Sequence, residues 1–182
     1  MDSGAIITRF TIWVAVAGYA AGAAAFALSR RRRSWDAAAR LAWTAACAAL
    51  LIHVACAFHF YHGWSHASAY AETARQTGEV VGFDWGGGLF INYAIMTLWV
   101  IDVAWWWLAG LDSYRRRPWP LTAAWHGFLI FIIFNATVVF KDGLTRWAGL
   151  GVCLGLCLAG WLAARDSLTR WAVARRLAVT ED

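Results

Sequence analysis

Hydrophobic positions in this chain fall in five long blocks, roughly residues 5–29, 37–61, 89–111, 121–140 and 147–164, parted by short polar and charged segments. Each block is near the ~20 helical residues needed to cross ~30 Å of hydrocarbon. None alternates in the manner of a barrel strand, and an open sheet edge has no hydrogen-bond partner in lipid. The pattern predicts an all-α integral membrane protein, a bundle of five transmembrane helices forming a single membrane domain over residues 1–182.

The one sizeable polar stretch is 62–88, between the second and third blocks. Residues 67–77 are rich in helix formers and are followed by Gly78, which predicts a short external helix of about three turns. Gly86, Gly87 and Gly88 then lead into the third block. A phosphate-cradling loop would want a strand before it and a lysine beside it, so these glycines are expected to make a flexible turn.

Composition agrees with the pattern. The chain is 61% hydrophobic, against the roughly 45–50% usual in soluble domains. Many of the 14 tryptophans stand near block ends, where ring and N–H can each find a suitable solvent. Charge sets an orientation. Of 16 basic residues, 12 share one side: Arg30, Arg31, Arg32, Arg33, Arg40, Arg115, Arg116, Arg117, Arg165, Arg170, Arg175 and Arg176. Arg9, Arg75, Lys141 and Arg146 fall on the other. The positive-inside rule then predicts the N-terminus outside, the C-terminus with its basic tail (165–182) in the cytoplasm, and residence in the inner (plasma) membrane. Ala25-Phe26-Ala27 resembles a signal-peptide cleavage site, but cleavage there would leave the four arginines outside, against the bias. The net charge of +5 reflects this asymmetry and does not point to nucleic acid. Expected partners are the lipid bilayer and a second copy or other membrane subunits, and the close-packing motifs Gly18-x3-Gly22 and Gly151-x3-Gly155 would join either spans within the bundle or protomers. Cys47, Cys56, Cys153 and Cys157 all lie in apolar blocks and are expected to be reduced, packed side chains.

Ionisable groups at membrane depth are costly and mark candidate sites. With a rise of 1.5 Å per residue they sort into two layers. The outer layer holds His53, His59, His62, His66, Asn92, Tyr93 and Asn135; the inner one pairs Asp102 with His126, Arg40 and Arg115 being other candidate partners. Trp105, Trp106 and Trp107 below Asp102 predict an inner aromatic belt. His59, His62 and His66 fall within about 60° of one another if the helix continues through Gly63, whereas His53 lies about 120° from His59. Such a ladder could supply ligands to a transition metal (iron, zinc or copper), completed by a carboxylate such as Glu72 or Asp84. Haem is a second possibility, needing an axial ligand from elsewhere, because the outer histidines all come from one segment.

Three functions compete. In the first, the ladder holds a metal in a redox or hydrolytic membrane enzyme acting on a lipid or quinone-like substrate. In the second, the chain is a non-catalytic subunit or assembly factor of a membrane complex. In the third, it carries electrons on haem or conducts protons or ions from the outer histidines past Asn135 to Asp102 and His126.

Overall fold

The computed structural model describes residues 3–29 and 32–179; within the last helix, side chains are described through residue 162 and at Arg165. Among the described residues all regular structure is helical. Helix α1 spans Ser3–Ser29. A 3-10 turn at Arg33–Trp35 leads into α2, Asp36–Ala57, which ends in a π-turn at Phe58–His62. Then come α3 (His66–Val81), α4 (Gly88–Leu108), the short α5 (Gly110–Arg115), α6 (Trp119–Phe134, ending in a π-turn at Asn135–Val139) and α7 (Gly143–Val179). Five of these segments are long and apolar enough to cross a membrane: Ser3–Ser29, Arg33–His62, Gly88–Leu108, Trp119–Val139 and Gly143–Leu162. Within residues 1–129, the end of the segments at His59, His62 and His66 is the histidine end, and that at Arg115 and Arg117 the arginine end.

The chain forms two compact units, Met1–Leu129 and Ile130–Asp182. In the first, α1 packs closely on α2. Gly18 and Gly22 allow it: a Cβ at Gly18 would stand 2.9 Å from that of Ala46, and one at Gly22 would stand 3.1 Å from the Trp43 ring. Without side chains at these two positions the backbones approach, and dispersion contacts replace the hydrophobic drive that is missing in lipid. The Gly18-x3-Gly22 motif therefore joins two spans of one chain. In the second unit the close approach is between Gly149 of α7 and Thr137 of the π-turn.

Three boundaries differ from the sequence pattern, each for a local reason. The third span stops at Leu108 and not at residue 111, because Gly110 takes a left-handed conformation (φ 76°) and reverses the chain into α5. Helix α3 runs through Gly78 to a left-handed cap at Gly82 (φ 88°), making 16 residues in place of about three turns. Gly78 stays helical where the Asp84 carboxylate packs against it, leaving no room for a side chain. The fifth apolar segment is the first part of a continuous 37-residue helix. Residues 180–182 of the basic tail lie outside the described residues.

Candidate functional site

At the arginine end, one carboxylate organises the first unit. Asp102, 8% exposed, sits two turns from the end of α4. Its Oδ2 accepts hydrogen bonds from Trp43 Nε1 of α2 at 2.8 Å and from the Tyr114 hydroxyl of α5 at 2.7 Å. Its Oδ1 accepts from Arg117 Nη1 at 2.6 Å. Arg117 lies between α5 and α6, donates from Nε to Thr122 Oγ1 at 3.0 Å, and places its guanidinium 4.1 Å from the Tyr114 ring centre. Pairing with hydrogen bonds to the remaining lone pairs is the condition under which a buried charge is tolerated. Tyr114 is held by stacking on Trp106, with ring centres 4.4 Å apart, and by the edge of Phe26 from α1. Burial, reinforced by the Asp102 charge, pushes its phenol well above its usual range, so it remains a donor.

A second group lies beside the first. The Tyr19 hydroxyl and His126 Nδ1 share a hydrogen bond of 3.0 Å. Tyr19, Trp43, Trp99 and His126 pack ring against ring, with centres 5.4–6.1 Å apart. The expected Asp102–His126 pair is thus replaced by Asp102–Arg117 and His126–Tyr19. The other two candidate partners are engaged elsewhere. Arg40 lies 4.0 Å over the Trp107 ring, and Arg115 binds Ser29 O at 2.9 Å, Ser29 Oγ at 2.8 Å and Asp36 Oδ1 at 2.8 Å. The tryptophan triplet is not a uniform belt. Trp106 is core at 1% exposure, while Trp107 is exposed and donates to Thr44 Oγ1.

At the histidine end the ladder is broken. After the π-turn, Gly63 (φ 53°) and Trp64 (φ 62°) both take the left-handed conformation, and Ser65 then caps α3 by accepting from Ser68 N. A left-handed pair reverses the chain, so His59 and His62 end one element and His66 starts another; they share no helix face. His53 Nδ1 donates to the Thr8 carbonyl at 2.9 Å, joining α2 to α1. His66 Nδ1 and the Tyr93 hydroxyl share a 3.0 Å hydrogen bond, joining α3 to α4. His59 packs on Phe60 and Trp64, and His62 on Phe58; neither imidazole makes a hydrogen bond to a described residue. Asn92 is exposed, and Asn135, in the second unit, donates to the Phe131 carbonyl of its own helix at 2.8 Å.

Glu72 belongs to a stripe along α3. Arg75 reaches it at 2.6 Å and also contacts Glu79, while Gln76 donates to it at 2.7 Å. These bonds, Arg75 first, hold the Glu72 carboxyl down at about 2. Asp84 packs on Gly78. Among the described residues no three His, Cys, Asp or Glu side chains gather at metal-binding distance. The glycines expected to be a flexible turn are a close-approach surface: the Tyr70 ring covers Gly86, the Trp85 ring covers Gly87, and the Thr73 methyl lies 3.1 Å from where a Cβ of Gly88 would be. All described cysteines are free. No family model matches the chain, and no curated protein or solved structure shows similarity to it.

Proposed function

We propose that the protein is a non-catalytic subunit or assembly factor of a membrane complex, with the histidine end as its contact face. What carries this reading is the contrast in polar partners. Asp102, Arg117, Tyr114, Tyr19, His126, His53 and His66 spend their hydrogen-bonding groups on holding helices of this chain together. His59 and His62 are presented on an aromatic turn with Phe60, Tyr61 and Trp64, and these three rings are 42%, 53% and 65% exposed. Aromatic groups with free polar tips are the residue types that dominate interface contacts. The bias of arginines to the opposite end supports an orientation with this face outside the cell membrane and the N-terminus beside it.

The test is native electrophoresis of the chain extracted from its own membrane in mild detergent, beside a His59→Ala/His62→Ala/His66→Ala variant, with elemental analysis of both. The expected outcome is a wild-type assembly larger than the purified chain that the variant loses, with neither carrying stoichiometric metal. A wild-type chain running at the size of the purified protein would overturn the reading. Iron, zinc or copper near one equivalent, absent from the variant, would replace it with a metal site on the ladder and Glu72 or Asp84.

A further inference from the structure

The covered face of α3 continues past its cover. Ala69 and Thr77 are buried at 2% and 7%, and Thr73 lies between them against Gly88. The Gly86–Gly88 turn lies along this part of α3, Gly88 against Thr73 and Gly86 against the Tyr70 ring. It reaches along α3 as far as Gly78, where Asp84 packs. Beyond that point Val80 continues the covered face at 47% exposure, followed by Val81 at 56%, Phe83 at 58% and Trp85 at 46%. Four large apolar side chains within six residues are therefore left without protein neighbours enough to cover them.

The polar side of α3 lies about 100° round the helix from Ala69, Thr73 and Thr77. Glu72, Arg75, Gln76 and Glu79 sit at i, i+3, i+4 and i+7, bonded into one stripe. An apolar wedge beside an internally bonded polar stripe is the pattern of a helix lying in the membrane–water interface. Position favours lipid over water as the occupant. Trp85 is three residues from Gly88, the first residue of a span, so the chain cannot carry it more than ~10 Å from the span's end. Thr73 touches that same Gly88, placing the middle of α3 at the same level. Phe90, 54% exposed inside the span, continues the apolar surface onto the lipid-facing side of α4.

We infer that Val80, Val81, Phe83 and Trp85 form an in-plane anchor immersed in the lipid leaflet at the histidine end. The anchor holds α3 with its charged stripe toward water and fixes the tilt at which His62 and His66 are presented. It offers no free cation: Arg75, the sole Lys or Arg from 63 to 87, is taken by Glu72 and Glu79, and the one charged group within the run, Asp84, turns back onto Gly78 of α3. Immersion therefore does not require anionic lipid. This inference stands on α3 alone and does not rest on the proposed contact face.

The test uses the full chain with its four cysteines changed to alanine, and Val81→Cys, Phe83→Cys or Gln76→Cys added one at a time. Each variant is spin-labelled and reconstituted in phosphatidylcholine vesicles without anionic lipid. Electron-spin power saturation then compares access of oxygen, which partitions into lipid, with that of a water-soluble nickel chelate. Labels at 81 and 83 are expected to show an oxygen-to-nickel ratio several-fold above that at 76. Equal ratios would place the run in water and overturn the inference. Poor access to both agents would mean that a second copy covers it, which overturns it as well. On the unmodified chain, a phosphatidylcholine with a photoreactive group near its carbonyls should label the 80–85 peptide and spare 72–79; the reverse pattern would also overturn the anchor.

Discussion

The two ends of the first unit carry similar residues and use them in opposite ways. At the arginine end Asp102, Arg117, Tyr114 and Trp43 close on one another, and Asp102 with Arg117 ties together α2, α4, α5 and the start of α6. At the histidine end, histidines and aromatic rings follow one another along the chain, yet the left-handed pair Gly63 and Trp64 splits them between two elements. The difference follows from depth. A charge inside a span must have its partners built into the fold, because lipid offers none. A histidine at a span end reaches water on its own and is free to stay unbonded.

That contrast can be broken at its strongest point first. Arg117→Met leaves the Asp102 charge buried and unpaired and should lower stability by about 3–5 kcal/mol. Thermal unfolding in detergent measures it, and Asp102→Asn in the same background should return a large part of the loss. If Arg117→Met alone were neutral, the arginine end would not be a latch. Trp43→Phe removes one donor to the same carboxylate and should cost about 1.5–3 kcal/mol by the same measurement. Gly22→Leu, aimed at the α1–α2 approach and not at any polar group, is expected to cost about 1–3 kcal/mol by forcing the helices apart. The double change His59→Ala/His62→Ala should stay within about 0.5 kcal/mol of wild type; a loss as large as that of Trp43→Phe would show that the histidine end is also a structural core. The smallest effect concerns acid. Glu72 has a folded pKa below its ordinary 4.5, so whatever the α3 stripe contributes is complete above 4.5 and fades only as pH falls toward about 2. Carbon-13 NMR of the glutamate carboxyls should show Arg75→Gln moving Glu72 back up toward 4.5.

What could be read from the sequence is what depends on composition over a whole span. The five helices long and apolar enough to cross a membrane follow from apolar runs, the helix after the second span from its helix formers, and Asp102 stood out as a charge that must have a partner. The partner itself was not legible. Arg117 is 15 residues further on, beyond the apparent end of the span, and reaches Asp102 because Gly110 turns α5 back against α4. A glycine seven residues before an Arg-Pro pair was the available signal, but it does not say in which direction the chain reverses. The ladder failed for the same reason in the other sense: Gly63 was a visible break, but a tryptophan in the left-handed region is disfavoured by local sterics. Here it is held by the Phe58 and His59 rings it packs against. Trp43, Tyr114 and Tyr19 gave no signal in the sequence, because their polar atoms gain meaning only when three helices are side by side.

The position of Arg117 also bears on how the chain is made. Trp43 is synthesised 59 residues before Asp102, and Tyr114 and Arg117 follow it by 12 and 15. At about 5–20 residues per second, the interval from Asp102 to Arg117 is about 1–3 s. The neutralising partner of the charge in the third span is therefore translated before the fourth and fifth spans. Insertion of the third span need not wait for a distant helix: its counter-charge arrives on the same nascent hairpin, and the first half of the molecule can close on itself while the second is still being translated.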